Sequence, residues 1–301
     1  MTRSNEIRIL GVPSDLGAGR RGVDMGPSAI RYAHLAEAIE ELGIQCRDQG
    51  NVDVPLPERS PSRQPKLRQL ESVIKVTGRV RDEVSDVLTA NQMPLVLGGD
   101  HSLSIGTLAG VCAAWENPGI LWVDAHGDFN VPETTPSGNI HGMSLALGCG
   151  RGAPELLDIF RDERYLDPSR TALIGARSLD LQERELLKSS GVAVFTMSDI
   201  DRRGLRQVLD DALRQVTSGT DGVHVSFDMD VVDPSVAPGV GTPVGGGLSY
   251  REAHLLMETV AEFGAMGSLE MVEVNPVLDH RNQTGQLAVE LIASALGRRI
   301  F

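Results

Sequence analysis

The sequence predicts an α/β fold: a central, mainly parallel sheet with helices covering both faces. Two observations carry this. Short apolar or β-branched runs alternate along the whole chain with longer stretches whose apolar residues recur every three or four positions. Parallel neighbours also need long crossovers, and those amphipathic stretches have the length and pattern to supply them.

Taken in order, the strand-like runs are IRILGV (7–12), a second possible strand ending near Asp48, PLVLGG (94–99), GILWVD (119–124), TALIGA (171–176), VAVFTM (192–197), GVHVSFDMD (222–230) and LEMVEVN (269–275). Helical spacing falls at 29–42, 67–88, 181–191, 204–216, 250–263 and 286–296. The proline-rich stretch 52–65 is too short to separate two domains, and the same alternation resumes after it. It reads as a surface excursion within one domain spanning 1–301.

Bulk composition narrows the function classes. A formal charge of −13 argues against a protein that binds nucleic acid by neutralising phosphates. All but three of the 28 basic residues are Arg, the exceptions being Lys66, Lys75 and Lys188. Cys46, Cys112 and Cys149 are odd in number and lack CxxC spacing, so neither a disulfide framework nor a thiolate metal site is expected. No apolar stretch approaches the ~20 residues of a membrane span, and the first strand follows almost directly on the N-terminus without an apolar leader. A soluble, reduced, cytoplasmic protein is the expectation.

One motif misleads. GAGRRG (17–22) matches the GxGxxG of dinucleotide sites, but the preceding strand ends near Val12 and the next helix begins near Pro27. Its glycines therefore lie in a long loop and not in a tight turn onto a helix N-terminus.

Three strands end in groups that bind metals. Asp124, His126 and Asp128 occupy alternate positions, as do Asp228 and Asp230, and PLVLGGDHS delivers Asp100 and His101 after two glycines. In extended chain, alternate side chains share a side, so each set can converge if the backbone stays extended through GDFN. The crevice beyond the carboxyl ends of strands is where open α/β sheets place ligands. Crowded carboxylates raise one another's pKa unless a cation offsets them. Asp124, Asp128, Asp228 and Asp230 balance two dications, with His101 and His126 adding one imidazole each. This oxygen-rich set without thiolate favours Mn²⁺ over Zn²⁺. A metal pair without redox ligands serves hydrolysis, by lowering the pKa of a water.

GGDHSLS (98–104), VDAHGDFN (123–130), SGNIHGM (137–143), SFDMDVVDPSVAPGVGTPVGGGLSYRE (226–252) and EVNP (273–276) resemble, in order, the signature segments of the ureohydrolases, and among them the arginases. RRGVDMGPSAIR (20–31) is similar to the same family's N-terminal segment. The resemblance covers nearly the whole chain and is weakest across 53–66. It implies a three-layer α/β/α arginase-like fold around an eight-stranded sheet. It also implies hydrolysis of L-arginine to L-ornithine and urea, with a hydroxide bridging two Mn²⁺ ions as the nucleophile.

On the same resemblance, His101, Asp124, Asp128 and Asp228 hold one ion and Asp124, His126, Asp228 and Asp230 the other, while Asp128 also holds the hydroxide. Glu273 pairs with the substrate guanidinium, a choice the bidentate match of carboxylate and guanidinium supports. Thr242 orients Glu273, and His141 passes a proton to the departing amine. Asn130, Thr135, Ser137 and Asn139 match the loop that binds an α-carboxylate, and Asp180 matches the acceptor of the α-ammonium. Ser178 stands where the family carries a second Asp, so amino-group recognition is where this chain departs. Gly127 and Phe129 vary between ligands without changing the chemistry. The family implies a homo-oligomer, trimer or hexamer. The alternatives are a ureohydrolase acting on agmatine or a guanidino acid, and a catalytically silent metal- and arginine-binding regulator.

Overall fold

Runs of β-branched and aliphatic residues form seven of the eight strands in the computed structural model, which describes residues 6–59 and 64–299, and the polar run QCRDQGN forms the other. They are β1 (Glu6–Val12), β2 (Gln45–Asn51), β3 (Met93–Gly98), β4 (Pro118–Val123), β5 (Thr171–Ala176), β6 (Ala193–Thr196), β7 (Gly222–Asp228) and β8 (Met266–Val272). Every neighbouring pair is parallel, in the order β2-β1-β3-β8-β7-β4-β5-β6. The expected α/β sheet with helices on both faces is the fold found.

Side chains along the central strands alternate between two apolar layers, as the pleat requires. Leu95 and Leu97 of β3, and Leu121 and Val123 of β4, pack with Ile30, Leu209, Leu256 and Leu291 on one face. Val96, Ile120 and Trp122 pack with Val76, Val80, Leu108 and Leu145 on the other. The first face is covered by α1 (Gly26–Tyr32), α2 (Leu35–Glu40), the later pair α9 (Leu205–Val216) and α10 (Tyr250–Phe263), and the last helix α11 (Gln283–Ala295). The second is covered by α3 (Leu70–Thr89), α4 (Ser104–Ala114), α5 (Ser144–Gly148), α6 (Pro154–Leu157) and α7 (Leu181–Lys188).

One expected helix is broken, and another is preceded by one that was not expected. The stretch 29–42 splits into α1 and α2 because His34 adopts a left-handed φ of 65°. Before α9, Met197–Arg203 forms its own helix, α8, stopped by Gly204 at φ 79°. Helix α4 was not anticipated at all. Its sequence, SIGTLAGVCAA, is apolar all round and buried through Cys112, so it has no polar face to reveal a helical period. Gly106 and Gly110 let it lie against α3, where an added Cβ would fall 2.4 Å from the Thr77 carbonyl and 2.7 Å from that of Arg81.

Among the described residues, no helix is long and apolar enough to cross a membrane.

Candidate active site

The central strands β3, β8, β7 and β4 are consecutive neighbours, so their carboxyl ends form one continuous edge. His101 follows β3, Glu273 follows β8, Asp228 ends β7 and Asp124 follows β4. Residues 172 positions apart thereby touch, since the backbone N–H of His101 donates to Glu273 Oε1 at 3.0 Å.

Two groups of potential metal ligands lie at this edge. His101, Asp124 and Asp228 form one, and Asp124, His126 and Asp230 form the other. Asp128 joins the first, its Oδ2 being 3.0 Å from His101 Nδ1. Asp228, expected in both sets, groups only with the first, because its other oxygen accepts the N–H of Asp230 at 2.8 Å. Asp124 turns one oxygen towards each imidazole, Oδ2 at 3.1 Å from His101 Nδ1 and Oδ1 at 3.5 Å from His126 Nδ1. His126 Nδ1 lies 3.0 Å from Asp230 Oδ2.

The residues converge, but not through an extended chain. The backbone bends after Asp124 and Asp128 takes a left-handed φ of 49°. That conformation is held by the Asp128 carbonyl, which accepts the N–H groups of Leu145 and Ala146 at the start of α5. Asp230 likewise sits in a 3-10 turn after β7 and not in extended chain. Strict alternation was therefore the wrong geometric reason, and capped turns at the strand ends do the gathering.

A divalent cation fits this donor set. His101 Nδ1 faces carboxylate oxygens of Asp124, Asp128 and Asp228 at 3.0–3.2 Å, and one ring nitrogen cannot donate to three acceptors. His101 Nδ1 and Asp128 Oδ2 are both buried and make no well-formed hydrogen bond. The opposite nitrogen, His101 Nε2, contacts Ser226 Oγ at 2.8 Å, and the ring stacks on Trp122 with centroids 4.2 Å apart. Trp122 Nε1 in turn donates to Asp124 Oδ2 at 3.1 Å. Outer contacts of this kind fix ligand orientation in metal sites.

The electrostatics agree. Burial, followed by the charge of Asp124, pushes Asp128 up to about 6, and burial with Asp230 and Asp124 raises Asp228 well above the carboxylate range. Burial disfavours a charged His126, yet Asp230 and Asp124 push it up to about 12. A field that holds protons this tightly also attracts a dication.

Beside the ligands, His141 Nδ1 lies 3.0 Å from Glu273 Oε1. Burial opposes charge on His141, but Glu273, Asp100 and Asp128 push it up to about 9. Glu273 has φ 65°, and its Oε2 is buried without a hydrogen bond. Among the described residues, no hydrogen bond joins Thr242 to Glu273. Its hydroxyl donates to Asp230 Oδ2 at 2.9 Å because the loop brings it over β7, and it is Gly241 whose α-carbon faces Glu273.

A cavity of about 280 Å³ opens over the metal edge. Its wall includes His101, His126, Asp128, Asp228, Asn130, Thr135, Ser137, Asn139, His141, Ser178, Asp180, Glu183 and Thr242. The two recognition sets are coupled, since Asn130 Nδ2 donates to Asp180 Oδ2 at 3.0 Å. Thr135 Oγ1 accepts from Gly138 N at 3.0 Å, and Ser137 Oγ accepts from Asn139 N at 3.2 Å. Glu183 holds the floor by accepting Phe129 N and Asp180 N, and burial raises its carboxyl to about 7. Asp100 reaches the same edge but turns away from the ligands, towards Ser14, Gly17 and Ser102. A larger cavity, about 450 Å³, lies at the opposite end of the sheet among Ile7, Met93, Trp115, Phe263 and Met266, away from both ligand groups.

Sequence reading missed Trp122, Ser226, Glu183 and Arg177. The first two were findable, lying two residues before Asp124 and Asp228 on the same strand face. Arg177 gave no signal, yet its guanidinium binds the carbonyls of Asp230, Val231 and Val244 and so ties the Thr242 loop to β7.

An all-parallel α/β sheet whose central strands end in two carboxylate and imidazole groups beneath a polar cavity defines a metal-dependent hydrolase. The family whose sequence model, described as the arginase family, matches residues 5–297 is the one to which this chain belongs. The chain is 49% identical to the arginase of Bacillus subtilis (strain 168), over 98% of this chain and 99% of that protein. It is similar to the native structure of arginase from Bacillus caldovelox, with TM-score 0.95 and 47% identity, covering 98% of this chain and 99% of that one. It is also similar to Entamoeba histolytica arginase in complex with L-ornithine, with TM-score 0.90 and 30% identity, covering 99% and 100%. The protein is a hydrolase of carbon–nitrogen bonds.

Proposed function

We propose that this protein is a manganese-dependent arginase, hydrolysing L-arginine to L-ornithine and urea. The observation that carries the reading is the pair of ligand groups sharing Asp124, set beside the His141–Glu273 contact under one small cavity. His101, Asp124, Asp128 and Asp228 would hold one Mn²⁺, and Asp124, His126, Asp228 and Asp230 the other. When bound, the ions supply Lewis acidity that makes a water nucleophilic at neutral pH.

The chain's own residues do the rest. Glu273 Oε2, buried and without a hydrogen bond, accepts an N–H of the guanidinium, whose charge is permanent. Asp128 accepts a hydrogen bond from the attacking water and so aims it. His141, held with its Nδ1 3.0 Å from Glu273 Oε1, delivers a proton to the nitrogen that leaves with ornithine. Asn130, Thr135, Ser137 and Asn139 take the α-carboxylate and Asp180 the α-ammonium. Ser178, on the same wall, leaves the amino group with one carboxylate fewer than the family pattern. Thr242 steadies Asp230 in place of its expected partner. We assign the whole chain, 1–301, to one domain of a cytoplasmic homo-oligomer, trimer or hexamer, on the family reading.

The test is urea release from L-arginine and from agmatine by protein stripped with chelator and reloaded with Mn²⁺. Metal-dependent urea from arginine alone is expected. Urea from agmatine alone would overturn the carboxylate-loop assignment, and urea from neither would leave a metal- and arginine-binding regulator.

A further inference from the structure

The GAGRRG loop, which the proposed chemistry does not use, lies against the reactive edge. Gly17 is bound at both ends of its own backbone: its N–H donates to Asp100 Oδ2 at 3.1 Å, and its carbonyl accepts the N–H of His141 at 3.2 Å. Asp100 is fully buried and takes two more donors, Ser14 Oγ at 3.3 Å on Oδ2 and Ser102 N at 2.9 Å on Oδ1. Its N–H also donates to the Ser14 carbonyl at 2.8 Å. No part of this carboxylate reaches the metal ligands.

The fit is close enough to require glycine. A Cβ on Gly17 would fall 2.4 Å from Ser102 Oγ and 2.5 Å from Asp100 Oδ1, and one on Gly99 would fall 1.9 Å from the Ser14 carbonyl. Further along the loop, a Cβ on Gly19 would sit 2.9 Å from Asn139 Nδ2.

His141 is thereby tied at three separate atoms. Its N–H reaches Asp100 through the Gly17 peptide. Its carbonyl accepts Ser144 Oγ at 3.1 Å, and the same hydroxyl lies 2.9 Å from the His101 carbonyl. Its Nδ1 meets Glu273 Oε1, which also accepts His101 N. All three ties return to the Asp100–His101 turn. The side-chain tie alone leaves the ring free to swing about Nδ1 with any shift of its backbone, and the Gly17 tie removes that shift.

We propose that Asp100 and the Gly17 peptide are positioning elements for His141, fixing its backbone so that the imidazole is aimed at the leaving nitrogen. The proposal rests on the arginase reading and on the proton-transfer role of His141. Misplacement of about 1 Å can cost 10²-fold in rate, so Gly17→Ala is expected to lower kcat about 10- to 100-fold.

The experiment uses Mn²⁺-loaded full-length protein, measuring kcat and KM for L-arginine, bound manganese and Tm for Gly17→Ala and Asp100→Asn. Each is made alone and combined with His141→Asn. Both single variants should lose kcat while keeping KM and bound manganese. In the His141→Asn background the same substitutions should change kcat by less than about twofold, because elements that act through one residue are not additive with its loss. Wild-type kcat in Gly17→Ala, or an equal fold-loss with and without His141, overturns the proposal. Should Gly17→Ala fail to fold, Asp100→Asn, which keeps the side chain's shape, decides it alone. If His141→Asn retains wild-type kcat, the proton-transfer role fails and the positioning role of Asp100 and Gly17 falls with it, whereas a wild type that releases no urea sinks the arginase reading itself.

Discussion

His141 shows how much one residue depends on its surroundings. Its pKa is pushed up from the ordinary 6.5 to about 9, with Glu273 prevailing over burial. A raised folded-state value means that the contact stabilises the fold fully below 6.5 and stops doing so as pH rises through about 9. Thermal melts of chelator-stripped wild type and His141→Asn should differ by a few °C at about pH 6 and converge near pH 10. A gap independent of pH would contradict the Glu273 pairing. At this scale the sequence was informative about residue type and poor about partners. Asp and His at the ends of apolar runs are rare enough to read as ligands. That Thr242 would meet Asp230 and not Glu273 depends on a loop path that Arg177 sets from a distant strand, and no local pattern encodes it.

Among the elements, β7 and β8 carry most of what was hidden. Both read as apolar strands, yet on one face β7 presents His224, Ser226 and Asp228, and β8 presents Ser268 and Glu270. Glu270 is wholly buried, receives Ser104 Oγ at 2.6 Å and lies 3.4 Å from His224 Nε2. Burial opposes its charge, but His224 holds the carboxyl well below its usual range. Ser104 opens α4 directly after the turn that carries His101, so Glu270 anchors a ligand-bearing turn to the sheet. Glu270→Ala should cost about 3–5 kcal/mol of stability by leaving His224 and Ser104 buried without their partner. Manganese affinity should fall about 10- to 100-fold with it. Denaturant midpoints and metal titration check both, and a loss of stability with affinity unchanged would confine Glu270 to the core. The element that reads least well, α4, fails for a physical reason, since a helix buried on all sides has no amphipathic period.

For the whole molecule, the proposed metal reading would make bound cations part of the fold, because they offset the clustered carboxylates. At a hundredfold excess over Kd, one ion adds about 2.7 kcal/mol, or roughly 4 °C in a domain of this size. Differential scanning calorimetry of stripped and Mn²⁺-reloaded protein should show at least that rise. Asp124→Asn should remove nearly all of it, because Asp124 belongs to both ligand groups. A rise that survives the substitution would put the metal elsewhere. The sheet itself was legible because its apolar runs and crossovers follow one rhythm from end to end. Its strand order was not, since nothing local says which strands become neighbours.

That order has a consequence for how the protein is made. β3 and β4 follow one another along the chain but are separated in the sheet by β8 and β7, which are synthesised last. With only β1 to β6 present, the native strand order would allow at most two unjoined half-sheets, each with a bare inner edge, and neither ligand group could be completed without Asp228 and Asp230. Such edges invite pairing with other chains, and long-range parallel insertions are slow. The final third of the polypeptide acts as a keystone. Until it slides between the halves, the enzyme is both inactive and at its most vulnerable to aggregation, so truncation near the C-terminus should be more damaging to solubility than its distance from the catalytic groups in sequence suggests.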